Sequence, residues 1–192
     1  MTPTEIVDVL TNLSSRHTVA MIAACAERFF PAYAAFSHLE GWGNPESMRR
    51  ALDRVWDALS SSESVAAITS SDVVAARTEI PFTGDYTSPL TSAAVTASES
   101  LMYALSTLQV PDPQQAGDAV EACRDGIFQW LARAHPEVPA SQRESHEAMT
   151  EQLEFEHRII TSLRASSEIG LKEVFAIRNV ARQSPALGEY LE

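Results

Sequence analysis

The sequence predicts an all-α fold, a single-domain bundle of about seven or eight helices over residues 1–192, and three observations lead there. Apolar residues recur at spacings of three and four rather than two, the period of a helix that turns one face to a core. Several of these stretches open on an oxygen-bearing side chain followed by proline, the combination that starts helices. Between them lies no alternating stretch of strand length.

A chain of 192 residues can bury about 70% of its unfolded surface, so a full core is within reach. Its apolar fraction of 45% and charged fraction of 21% suit an ordered globular protein.

The elements follow in order. Thr2, Pro3 and Glu5 open a first helix, expected over 3–13. A second, over 16–38, is apolar on most sides from Val19 to Phe36 and is expected at the centre, with Pro31 kinking it or marking a boundary. Gly41 supplies a left-handed residue to close it, and Asn44 with Pro45 starts the third, over 45–60. There Met48, Leu52, Val55, Trp56 and Leu59 form an inward stripe. The other side carries the spacings Arg49 to Asp53, Arg50 to Asp53 and Arg54 to Asp57, which suit ion pairs on a solvated face. With Trp42 and Trp56 nearby, the same side could instead belong to a partner site.

Ser60 to Ser64 reads as a connection, and a fourth helix is expected over 64–79. After the loop Pro81 to Ser88, Ser88 with Pro89 starts a fifth over 89–108. Asp112, Pro113 and Gln115 form a capping box for a sixth over 113–134, buried through Ala116, Val120, Cys123, Ile127, Trp130 and Leu131. Ser141 with Glu144 starts a seventh over 142–166, and an eighth is expected over 168–183.

Charge narrows the partners. With 26 acidic against 14 basic residues the formal net charge is −12, which repels a phosphate backbone. Lys172 is the one lysine, so a polybasic membrane patch is absent too. Nucleic acid and membrane are therefore not expected as partners. The acidity suits solubility or a basic protein partner. The first residues carry Glu5 and Asp8 but no basic run, and the apolar run Val19 to Ala26 stops at Glu27 and Arg28, unlike a signal peptide or a membrane span. Cys25 and Cys123 each sit in an apolar helical pattern and are expected as free buried thiols. A reducing, cytoplasmic setting is the expectation.

Chemistry is sparse. Gly41 and Gly43, followed by Asn44 and Pro45, fail the dinucleotide pattern and read as a turn. No serine lies in a nucleophile elbow, and neither cysteine carries an activated-thiol signature. Glu154 and His157 form one Glu-x-x-His pair, whereas a di-iron centre needs two with two further glutamates. His17, His38, His135 and His146 have no glutamate three residues before them. His146 and His157 lie about 16 Å apart along a helix axis and cannot share an ion. Glu154 and His157 are thus weak metal candidates, and no cofactor is expected. His135, beside Pro136, suits a helix end as a dipole partner.

The ordered series Cys25, Glu27, Arg28, Pro31, Tyr33, Phe36, Gly41, Gly43, Arg50, Leu52, Asp53, Trp56 and Leu59 resembles the signature of the YjaG-like family, bacterial proteins of similar length, entirely helical and of unknown function. The likeness is strongest from Met21 to Leu59. Ala32 and Ser92 depart from it, as does the ending from Ser184 to Glu192. The resemblance implies the helical fold and points to Glu27, Arg28, Tyr33 and Arg50, with Asp53 in the same group. Two readings stand for these residues: an ion network in which Glu27 and Arg28 pair with charges such as Arg50 to orient helices, or a ligand site. The expected function is a non-catalytic bundle acting through protein contacts or self-association. Its alternatives are an acidic toxin-neutralising immunity protein, or a binder of a small molecule or metal that could be an enzyme.

Overall fold

A computed structural model describes residues 1–61 and 68–188. Among these residues it contains no strand and nine helical segments, one of them a single turn. They are α1 (Pro3–Thr11), α2 (Ser15–Glu40), α3 (Pro45–Ser60), α4 (Ser70–Thr78), α5 (Thr91–Gln109), α6 (Gln114–Ala134), the short α7 (Ala140–Arg143), α8 (Glu147–Ala165) and α9 (Leu171–Gln183).

The caps explain the boundaries. At α1 the Glu5 N–H donates to Thr2 Oγ1 (3.2 Å) and the Thr2 N–H to Glu5 Oε2 (2.7 Å), a reciprocal box. Gly41 ends α2 at φ 62°, where a side chain would be strained, and Asn44 Oδ1 caps α3 by accepting from the Ser47 N–H (2.9 Å).

Three expectations need correcting. Gln115 does not reach back to cap α6: Asp112 Oδ1 accepts from the Gln114 N–H (3.0 Å), while Gln115 Oε1 accepts from Thr107 Oγ1 (3.0 Å). The start expected at Ser141 yields only α7, and α8 begins at Glu147, where His146 Nδ1 accepts from the Ala148 N–H (3.2 Å). The fourth helix starts at Ser70 in its described part, because Asp72 Oδ2 accepts from the Thr69 N–H (2.7 Å). Its expected residues 64–67 lie outside the described residues, as does most of the Ser60 to Ser64 connection.

α2 is the central helix and packs against α3, α5, α6, α8 and α9. Alanines at 20, 23, 24 and 26 of α2, and at 93, 94, 97 and 104 of α5, are fully buried, so small side chains let these two axes come close. α5 and α6 approach at Gly126, where a Cβ would run into Thr96 Oγ1. α2 is long and apolar enough to cross a membrane by length and composition, with a mean hydropathy of 1.3. Yet 78% of that stretch is buried inside the protein, and Glu27 and Arg28 lie within the helix.

Pro31 does not end α2, which runs on to Glu40. A proline removes one backbone donor and crowds the carbonyl a turn earlier. Close to that point the Arg28 carbonyl accepts from the Ala186 N–H (2.8 Å), which ties the chain after α9 to the centre of α2.

Candidate functional site

Glu27 and Arg28 are neighbours on α2, so they point in different directions, and each is the centre of a separate polar group. Glu27 is 3% exposed. Its Oε1 accepts from Arg49 Nη1 (2.8 Å) and Arg182 Nε (2.7 Å), and its Oε2 from Arg49 Nη2 (2.8 Å) and Trp56 Nε1 (2.7 Å). Arg178 Nε stands 3.6 Å from the same carboxylate. Asp53 joins the group through Arg49 (3.0 Å) and Arg178. α2, α3 and α9 are thereby braced through one buried carboxylate. Burial alone would raise its pKa, but the bonds from Arg49 and Arg182 and the charge of Arg178 outweigh burial, and the net shift is downward.

The arginine that meets Glu27 is Arg49, not Arg50. Arg49, Asp53 and Trp56 fall at i, i+4 and i+7 on α3 and share one face, while Arg50 lies about 100° further round. Arg50 reaches Glu46 (3.7 Å) on the exposed side. The Nε–H groups of Arg49 and Arg178 are buried without an acceptor among the described residues. Instead the guanidiniums lie over Phe30 (4.9 Å) and Trp56 (5.8 Å).

Tyr33 belongs to neither group. Its hydroxyl donates to Glu79 Oε2 (2.6 Å) and accepts from the Asn44 N–H (3.2 Å), binding α2 to the turn before α3 and to the end of α4. Burial and the bond to Glu79 raise its pKa. Gly43 completes the turn at φ 82°, and a Cβ there would lie 2.5 Å from the Tyr33 oxygen.

Arg28 is 2% exposed and forms the floor of an open cleft of about 680 Å³ between α8 and the chain after α9. Its Nε donates to Gln152 Oε1 (2.9 Å), its Nη1 to the Ser184 carbonyl, and its guanidinium lies over Phe155 (4.9 Å). Gln152 in turn donates to Glu156 Oε1 (3.0 Å), but Glu156 is already neutralised by Arg124. Arg28 therefore has no carboxylate partner among the described residues. Burial pulls its pKa down, Glu151 works against that shift, and Arg158 adds to it.

Arg158 stands at the rim and donates to Ser184 Oγ (2.8 Å). Glu147, Glu151 and Glu154 line the wall. Leu187, at φ 60°, turns the opposite wall, a conformation that costs a branched side chain about 1 kcal/mol or more. Glu154 lines this cleft, whereas His157 is exposed beside it. Among the described residues no three His, Cys, Asp or Glu side chains gather to hold a metal.

The sequence profile of the family described as "Protein of unknown function (DUF416)" matches residues 5–186. The chain belongs to the DUF416 family. The crystal structure of a DUF416 family protein from Shewanella baltica OS155 superimposes on this DUF416 chain with a TM-score of 0.80 over 93% of both chains, at 16% identity. That likeness shows the shared fold. No curated protein matches the sequence.

Sequence reasoning about this DUF416 domain found Glu27, Arg28, Tyr33 and Asp53 but missed most of their partners. Arg49 could have been chosen over Arg50 from its shared face with Trp56. Arg178 and Arg182 sit four apart on α9, a spacing that offers two cations to one acceptor, but nothing local says which acceptor. The thiols of Cys25 on α2 and Cys123 on α6 are buried and free, and burial together with the neighbouring Cys25 raises the Cys123 pKa.

Proposed function

We propose that this DUF416 protein binds a small carboxylate-bearing molecule in the cleft above Arg28, and that its role is recognition rather than turnover. One observation carries the reading: a fully buried guanidinium faces a cleft and has no ion-pair partner among the described residues. Buried charges are ordinarily paired, because an uncompensated one costs several kcal/mol. A carboxylate on the remaining nitrogen, Nη2, would complete the pairing through a charge-assisted hydrogen bond. The cleft volume falls within the range of small-molecule sites.

The test is the melting temperature of the full chain titrated with hexanoate and glutarate, with sodium chloride at equal ionic strength as control. Binding to the native state must raise the midpoint with ligand concentration. The rise is expected to vanish in Arg28→Gln and to shrink in Arg158→Gln, whose exposed site spares the fold. Carboxylates that leave the midpoint unmoved, or that raise it equally in Arg28→Gln, would defeat the reading.

A second reading, action through protein contacts, draws on Leu171 and Phe175. They are 71% and 73% exposed and four residues apart on α9. Sedimentation and crosslinking of wild type against Phe175→Ser check it: unchanged association would remove it. The YjaG-like grouping is part of the same proposal and rests on the residues from Met21 to Leu59.

A further inference from the structure

We infer that the molecule seated on Arg28 is a basic amino acid, a compound with one carboxylate and two cationic nitrogens; this rests on the carboxylate reading above and adds the rest of the ligand. α8 presents Glu147, Glu151, Glu154 and Arg158 to the cleft at i, i+4, i+7 and i+11, one continuous face about 16 Å long. Among the described residues none of the three glutamates has an ion-pair partner. A row of acids is no site by itself. Here it stands beside a second, independent feature, a buried arginine aimed into the same space.

Charge then selects the ligand. Among the described residues, the three carboxylates against Arg28 and Arg158 leave the cleft one negative charge in excess, and a basic amino acid carries one positive charge in excess. Position agrees. Arg28 is bonded to Gln152, next to Glu151, so a carboxylate on Arg28 sits at the level of Glu151 on the α8 axis. Glu147 lies about 6 Å from that level and Glu154 about 5 Å, within reach of ammonium groups on a short chain. The methylenes between the charges meet Ala148, Pro185 and Leu187, the apolar part of the lining. A cationic floor, an anionic wall and an apolar wall match the three parts of such a molecule. An inorganic anion would use the floor alone.

The experiment is calorimetric titration of the full chain with L-lysine, L-norleucine, 6-aminohexanoate and cadaverine, repeated on the double variant Glu147→Gln/Glu154→Gln and on Arg158→Gln, all exposed positions. Lysine should bind about fivefold more tightly than norleucine, the size of one part-exposed ion pair, and the double variant Glu147→Gln/Glu154→Gln should erase most of that preference. Equal affinity for lysine and norleucine would overturn the inference while leaving the carboxylate reading intact. Cadaverine binding as tightly as lysine would overturn both, since Arg28 would then contribute nothing. So would the absence of heat with all four compounds.

Discussion

Replacing Glu27 by Gln tests whether one buried carboxylate braces three helices. The amide keeps one oxygen, which can still accept from Arg49 and Arg182 as Oε1 does now (2.8 and 2.7 Å). Its NH2 takes the place of Oε2 and confronts the Trp56 Nε1–H and a second Arg49 N–H, so donors face a donor. A buried unsatisfied donor costs about 1–3 kcal/mol, and breaking a buried ion pair about 3–5 kcal/mol. Since Arg182 and Asp53 are half-exposed and water relieves part of the loss, about 3 kcal/mol is expected. Urea unfolding at neutral pH, followed by far-ultraviolet dichroism, measures it. The pH dependence supplies a second check. Because the folded pKa of Glu27 lies below its ordinary value of 4.5, the ionised form favours the fold. Its stabilisation is complete above 4.5 and fades as the pH drops through the lower folded value, so wild type and variant should converge there. A cost under about 1 kcal/mol at neutral pH, or a gap that persists in acid, would refute the brace.

Three further outcomes follow from the same geometry. Tyr33→Phe should cost about 1 kcal/mol in urea unfolding by removing the donor to Glu79. Because the folded Tyr33 pKa is raised, wild type should also lose stability as the pH climbs past 10.0, and the variant should lose less on an alkaline titration. Gly126→Ala should lower stability by about 1–2 kcal/mol, overpacking against Thr96 exceeding the gain in helix propensity; an unfolding midpoint above wild type would contradict the close approach of α5 and α6. Cys25 and Cys123 should resist an aromatic disulfide reagent until denaturant is added, being fully buried with the Cys123 thiol held protonated; rapid native modification, read by absorbance, would mean that α2 and α6 part readily.

What could be read from the sequence was local. The α3 stripe of Met48, Leu52, Val55, Trp56 and Leu59, the closure at Gly41 and the cap at Asn44 each need only a few consecutive residues, and each is present. The start of α8 was not legible in the same way. Ser141 with Glu144 is a conventional opening, but the cap there is a histidine ring, His146, a residue outside the usual capping set. The candidate site divides along the same line. Glu27 and Arg28 stood out as charges in an apolar helix. Which of them was satisfied depended on Arg178 and Arg182, and on Gln152, Glu156 and Arg124, residues brought together only by the packing of α6, α8 and α9. A buried cation shows itself as unpaired only after all its neighbours are in place.

The most direct test of the central claim is the Arg28 guanidinium itself, followed by nitrogen-15 NMR of arginine side chains and assigned through its absence in Arg28→Lys. On titration with L-lysine its Nε resonance should move saturably, while those of Arg49 and Arg124, already held by Glu27 and Glu156, stay fixed. An Arg28 resonance that remains still while lysine binds elsewhere, or while nothing binds at all, would contradict the claim that this buried arginine is the seat of a carboxylate.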